Sequence, residues 1–169
     1  MTISMYQASA PVFEKMLGNL ATILDKAAGW AEGRKIEPTV LLNARLAPDM
    51  FALTRQVQIA CDFAKGTCAR LAGLEAPKYE DNEASFTELQ ARIARTRQYL
   101  ATIKAAQVDG SEDRQIKFKA GPRELDFKGQ AYLTGFALPN FFFHTTTAYN
   151  ILRHNGVNLG KIDFLLGKV

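Results

Sequence analysis

The sequence predicts an all-α protein, a four-helix bundle with one small β-hairpin between the third and fourth helices. Four segments repeat apolar residues every three or four positions, as amphipathic helices do. Residues typical of helix starts and ends bracket these segments. One further segment, residues 115–128, alternates apolar and charged residues on both sides of Gly121-Pro122, which is typical of a hairpin.

The first predicted helix covers residues 10–31, where an apolar stripe follows one face. Ser9 is a suitable N-cap, and Gly33 marks the end of the helix. Residues 34–47 form a long connection, and because it contains several apolar residues we expect it to pack on the bundle.

The second predicted helix starts near Pro48-Asp49 and ends at about residue 71, before Gly73. Cys61 and Cys68 lie about 10.5 Å apart along its axis. That separation is too long for a disulfide, so we expect two buried, reduced thiols. The apolar face is a seven-residue repeat formed by Phe51, Thr54, Val57, Cys61, Ala64, Cys68 and Leu71.

A polar loop over residues 76–84 precedes the third helix, which opens with a capping box of Ser85 and Glu88 and ends before Asp109-Gly110. The hairpin follows, and its apolar face must lie on the bundle because an isolated hairpin is marginally stable.

The fourth helix is predicted to run from Pro139 or Asn140 to Asn155, with Gly156 as its C-cap. The tail, residues 159–169, is apolar enough that we expect it to pack back on the domain.

The composition suits one domain over residues 1–169, with 47% hydrophobic and 22% charged residues. No apolar run reaches the ~18–20 residues of a membrane span, and no signal peptide is recognisable. We therefore expect a cytoplasmic protein without a membrane partner. The net charge of +4 is spread among acidic residues, which we interpret as a solvated surface. The main basic positions are Arg92, Arg95, Arg97, Lys104, Lys117, Lys119, Arg123 and Lys128.

The only two histidines, His144 and His154, lie about 15 Å apart along the fourth helix and about 80° around it. They cannot share one metal ion. His144 falls on the apolar arc of the helix, so we expect it to face inward and to bond Asp62, Gln58 or Tyr6. His154 falls on the polar arc, where it complements the helix dipole.

Three consecutive phenylalanines, Phe141, Phe142 and Phe143, point around the whole helix and cannot all enter one core. Phe143 falls on the otherwise polar arc. We expect it either to pack under the hairpin or tail or to form the contact of a homodimer.

The fourth-helix sequence is the most specific motif of the chain. It runs from Ala137 through Pro139-Asn140-Phe141-Phe142-Phe143-His144 to Tyr149 and continues with Ile151-Leu152-Arg153-His154-Asn155-Gly156-Val157. Together with Tyr6, Pro11-Val12-Phe13 and Leu17-Gly18-Asn19-Leu20, it resembles the domain-of-unknown-function family numbered nineteen-ninety-three, within the DinB/YfiT-like superfamily. The resemblance implies a DinB-like bundle. Many members of that superfamily are dimers, and some are thiol-dependent transferases or isomerases.

The resemblance also implies a divalent metal held by three histidines, one on the second helix and two on the fourth spaced His-x-x-x-His. His144 matches one ligand, but Ala148 stands at its partner position, and the second helix contains no histidine. Asp62 or Cys61 could substitute. We interpret the metal site as degenerate and predict no cofactor, with a divalent metal as the alternative.

We expect a small-molecule-binding or interaction module in which His144 is a polar anchor. The pocket candidates are His144, Tyr149, Asp62, Cys61 and Gln58. One alternative is a metal- or thiol-dependent hydrolase or transferase that uses His144 with Tyr149 or a cysteine. Another is a weak nucleic-acid binder that uses the hairpin and the third helix, although the scattered charge argues against it.

Overall fold

Four long helices form the bundle in the computed structural model, which describes residues 2–167 apart from the side chain of Ala120. This confirms the predicted all-α architecture. The four helices are α1 (Ala10–Gly33), α3 (Leu53–Ala72), α4 (Phe86–Thr102) and α7 (Leu138–His154). Helix α3 contacts both α7 and α4, and α1 contacts α4, α3 and α7.

Shorter elements connect and close the bundle. The predicted hairpin is present, and its strands pair antiparallel with Ile116 opposite Phe127 and Phe118 opposite Leu125. Ile116 is buried, and Phe118 and Phe127 pack against the core, so the apolar face of the hairpin lies on the bundle as expected. The short elements are α2 (Pro38–Leu42), α5 (Ala105–Val108), β1 (Gln115–Ala120), β2 (Arg123–Lys128), α6 (Gly129–Tyr132) and α8 (Lys161–Leu166).

Helix α3 is the most completely buried helix because small residues recur on it. From Val57 to Leu71 the predicted repeat faces the core, and Cys61 and Cys68 are fully buried free thiols. The first member of the repeat is wrong, because Phe51 lies before the helix and is 57% exposed, and Thr54 is half-buried. Small side chains let neighbouring helices approach closely, and large partners then fill the remaining space. Phe13 of α1 and Phe141 of α7 are fully buried, and their ring centroids lie 4.8 Å apart. Both of their helices contact α3.

The predicted start of the second helix is wrong by about one turn. The backbone N–H of Met50 bonds the carbonyl of Ala47, so Pro48-Asp49 forms a turn rather than a first helical turn. The N–H of Leu53 bonds the carbonyl of Ala44 across the connection. The helical ladder therefore begins only at Leu53, and the connection itself contains α2.

The predicted start of the fourth helix is also wrong, because helical backbone begins ten residues before Pro139. Helix α6 passes into a π-helical turn, Leu133–Ala137, which continues directly into α7. In that turn the N–H of Leu138 bonds the carbonyl of Leu133, five residues back. The widened turn shifts the hydrogen-bond ladder just before Pro139, which has no N–H to contribute.

The third helix is interrupted earlier than predicted. Ile103 leaves helical geometry and turns inward to a buried position, and α5 then ends before Asp109. At the other end of the helix, the Ser85 hydroxyl accepts the Glu88 N–H at 3.2 Å, which confirms the cap.

The tail packs back only in part. Phe164 lies 5.9 Å from the ring of Tyr149, and its carbonyl accepts a hydrogen bond from Asn19. The other apolar residues of α8, namely Ile162, Leu165 and Leu166, are exposed, and Lys168 and Val169 lie outside the described residues. Between residues 2 and 167 no helix is both long and apolar enough to cross a membrane.

Candidate functional site

His144 faces the interior at the contact between α7 and α3, as predicted, but its partner is none of the three residues proposed from the sequence. Its Nδ1 lies 2.7 Å from Oε1 of Gln56. The amide nitrogen of Gln56 donates to the carbonyl of Phe51 at 3.0 Å, which turns the amide oxygen toward the imidazole. The side chains of Asp62 and Gln58 bond other groups, and the backbone N–H of Tyr6 donates to Asp109 at 2.8 Å.

The hydrogen bond to Gln56 selects the tautomer of His144. Because Oε1 is an acceptor, Nδ1 carries a proton, and in the neutral ring Nε2 keeps its lone pair. Burial, together with the smaller effect of the positive charge of Arg55, lowers the pKa of His144 from 6.5 to about 4. The imidazole is therefore neutral at pH 7. It can accept a hydrogen bond through Nε2, but a base with so low a pKa is inefficient near neutral pH.

The residues around His144 do not fit the three-histidine metal site that the resemblance implies. Ala148, one turn further along α7, is fully buried and offers no ligand atom. On α3, Gln56 already uses its oxygen to bond Nδ1, and Arg55 brings a positive charge close to the ring. Among the described residues, no three His, Cys, Asp or Glu side chains lie together as a metal ion would require.

The remaining pocket candidates do not converge on His144. Cys61 is buried against Thr96, and burial raises the pKa of its thiol to about 12, so it stays protonated and unreactive at neutral pH. Tyr149 packs on Phe164 of the tail helix. Gln58 donates to Glu83 at 2.8 Å. Only Asp62 lines the aromatic cleft described below.

Arg92 is buried rather than solvated, which corrects the interpretation of the third-helix cations as surface charge. Its side chain is 2% exposed, and its guanidinium reaches Asp62, Asp81 and Glu83, each at 2.9 Å. These acids come from α3 and from the loop before α4, 9 to 30 residues away. Three carboxylates compensate the buried cation and tie the loop to both helices.

An aromatic cleft lies where α3, the hairpin and the π-helical turn meet. The ring of Phe136 lies 5.9 Å from that of Phe63 and 5.6 Å from that of Phe118. Tyr132 closes the inner wall, with its ring 5.6 Å from Phe118. The cleft has a volume of about 210 Å³ and is lined by Asp62, Phe63, Arg70, Phe118, Lys119, Tyr132 and Phe136.

Phe63 links this cleft to His144. Its ring is stacked 6.0 Å from the imidazole, with an angle of 20° between the two planes. Phe63 and Arg70 are seven residues apart on α3 and therefore share one face. That face continues from the His144 region, past Phe63, to the cleft beneath the hairpin.

Most residues of this cleft were not predicted from the sequence. A signal was available, because Phe63 and Arg70 repeat with the spacing of one helix face, and Phe118 lies on the apolar face of the hairpin. The π-helical turn, which helps to position Phe136, leaves no comparable pattern. Such turns occur often at functional sites.

A larger hollow of about 510 Å³ lies beside α4 and the preceding loop, and several of its charged groups are already held by bonds within the protein. Arg92 bonds Glu83. The carboxylate of Glu88 accepts the N–H of Ala84 and the hydroxyl of Ser85, and these hydrogen bonds lower its pKa.

The fold describes a DinB-like helical bundle, and comparison with known proteins agrees with that class. The chain belongs to the family described as a domain of unknown function (DUF1993), whose model matches residues 5–165. It is 45% identical to a DinB family member protein of known structure from Shewanella denitrificans. That comparison covers 95% of this chain and 90% of the other, with a TM-score of 0.86. No curated protein matches the chain.

The protonation of His144 predicts a specific pH dependence of stability. The unfolded chain binds a proton on this residue near pH 6.5, whereas the folded protein binds it only near pH 4. Between these values the unfolded state holds more protons, so the free energy of unfolding falls as the pH drops from about 6.5 to about 4. In a His144→Gln variant this part of the loss should disappear.

Urea unfolding of both proteins between pH 7 and pH 4 measures the difference. A His154→Gln variant is the control, because His154 is exposed and should leave the pH dependence unchanged. If the free energy of unfolding falls equally with pH in the wild type and the His144→Gln variant, the result would contradict a neutral, buried imidazole.

Proposed function

We propose that this protein is a small-molecule-binding module whose ligand lies in the aromatic cleft beneath the hairpin. One observation carries the proposal: rings from α3, β1, α6 and the π-helical turn converge on a cleft that stays partly open. Aromatic walls with a few polar groups at fixed positions are the usual composition of ligand sites.

The size of the cleft limits the ligand to a small, flat molecule. Pockets for drug-sized ligands usually enclose ~300–1,000 Å³, and this cleft encloses about 210 Å³. A ring system of one or two fused rings can stack on Phe63 or Phe136. Ring pairs of this kind contribute ~0.5–1.5 kcal/mol beyond simple burial.

His144 supplies a polar contact near the cleft in this proposal. Its neutral Nε2 can accept a hydrogen bond from a ligand that extends past Phe63.

The hydrolase or transferase alternative stays a prediction, and so does weak nucleic-acid binding. Two hairpin lysines, Lys117 and Lys128, pair with Asp126 and Asp113, which leaves fewer cations for phosphates.

A homodimer in the cytoplasm is the second part of the proposal, and Phe143 supports it. Phe143 is 57% exposed, so the prediction that it packs under the hairpin or tail is wrong. Phe51 is equally exposed. The ring of Phe143 lies 5.3 Å from that of His144, and the Gln56 amide that bonds His144 also bonds the Phe51 carbonyl, so we place both residues in the proposed dimer contact. Exposed aromatic residues are enriched in interface cores.

Binding of 2-naphthol, a neutral two-ring probe, tests the cleft. Calorimetric titration should give saturable binding to one site per chain. Phe136→Leu should weaken the affinity about fivefold, because a ring contact contributes about 1 kcal/mol. Phe51→Leu is the matched control, since it removes an equally large but exposed ring outside the cleft, and its affinity should equal that of the wild type. Equal losses in both variants, or no binding at all, would contradict the proposal.

Sedimentation velocity tests the dimer. The wild type should sediment as a dimer at high micromolar concentration, and Phe143→Ser should sediment as a monomer, because it removes the exposed ring from the proposed contact. Leu74→Ser, which changes another exposed apolar residue, should remain dimeric. A monomeric wild type would contradict this part of the proposal.

A further inference from the structure

We infer that the ligand of the aromatic cleft is an anion, an apolar ring compound with a carboxylate, and that Arg70 binds the carboxylate. This inference rests on the proposed function and specifies its ligand class. Three features of the structure support it, namely the position of the Arg70 guanidinium, the charges around that group and the space that Gly66 leaves for it.

The guanidinium of Arg70 is held at the wall of the cleft. It lies over the ring of Phe118, 4.6 Å from the centroid, and its Nη1 donates to the hydroxyl of Tyr132 at 3.2 Å. Because Tyr132 accepts this bond, its own proton can go to the hydroxyl of the fully buried Thr67, 3.3 Å away. The chain from Thr67 through Tyr132 orients the guanidinium before any ligand arrives, which lowers the entropic cost of binding.

The donors of Arg70 are not used up inside the protein. A guanidinium has five N–H donors in a fork that matches a carboxylate. Within residues 2–167 no Asp or Glu oxygen lies within 4.0 Å of the Arg70 guanidinium. Arg92, by contrast, contacts three carboxylates.

Asp62 does not neutralise the positive charge of Arg70. Its Oδ1 already contacts Arg92 at 2.9 Å and Lys65 at 3.1 Å, so its own charge is compensated from the side of α4 and α3. Lys119, at the rim of the cleft, adds a second cation. The cleft therefore offers an uncompensated positive charge beside aromatic rings, which is complementary to an aromatic carboxylate.

Gly66 leaves the space that the guanidinium of Arg70 occupies. It lies one turn before Arg70 on α3, and a Cβ atom there would meet Nη1 of Arg70 at 2.7 Å. Arg70 is a flexible side chain, so an alanine at this position would displace the guanidinium without removing its charge. Gly66→Ala therefore separates the position of Arg70 from its charge.

The test compares 2-naphthoate with 2-naphthamide, which has nearly the same shape but no charge, by calorimetric titration at low salt. The wild type should bind the carboxylate about tenfold more tightly than the amide. Arg70→Gln should abolish this preference while the amide still binds, which also shows that the variant is folded. Gly66→Ala should reduce the preference as well.

Arg123→Gln is the matched control, because it removes the same charge from the exposed end of the hairpin and should keep the tenfold preference. If the wild type binds both compounds equally, the assignment of Arg70 is wrong, but the cleft is still a binding site. If neither compound binds, the proposed function fails. If Arg123→Gln loses the preference as Arg70→Gln does, general charge attraction explains it, and the specific role of Arg70 is overturned.

Discussion

The close packing of helix α3 is the constraint on which the rest of the structure depends. Its buried alanines and cysteines let α7, α4 and α1 approach it together. Larger side chains such as Leu53 and Leu71 are also buried near its ends, and its half-buried side chains stand at an edge of the helix. Phe63 and Arg70 occupy such an edge, and the hairpin and the π-helical turn meet them there. The cleft is thus a consequence of how the bundle is packed.

Two buried polar residues show how the bundle keeps its interior electrically balanced. Arg92 is charged and needs three carboxylates, which it takes from α3 and from the loop before α4. His144 avoids charge altogether, since the Gln56 amide satisfies Nδ1 and burial keeps the ring neutral. Both solutions lower the cost of placing polar groups in an apolar core. Arg70 stands apart, because it borders a cleft and contacts rings instead of carboxylates.

The sequence predicted the helices well because their signals are local. Apolar periodicity, the Ser85–Glu88 cap and the alternation in the hairpin each depend on residues a few positions apart. The start of α3 was missed because hydrogen bonds across the connection, such as that from Leu53 to Ala44, decide it. The start of the fourth helix was missed because a π-helical turn has no periodic signature.

The site was predicted less well than the fold, because its contacts join residues that are far apart in the sequence. The helical arc of His144 was enough to place it inside, but its partner lies 88 residues away, and sequence spacing does not reveal which of several polar residues on α3 faces it. The carboxylates around Arg92 and the rings around Arg70 likewise come from separate elements. Such groups become neighbours only through tertiary packing, which a single sequence does not specify.

A crystal structure of the protein with 2-naphthoate tests the central claim most directly. Our account predicts the rings of the ligand against Phe63 and Phe136, and its carboxylate within hydrogen-bonding distance of Arg70. A ligand bound instead in the polar hollow beside Arg92, or on the exposed surface around Phe143, would contradict the assignment of the aromatic cleft as the binding site.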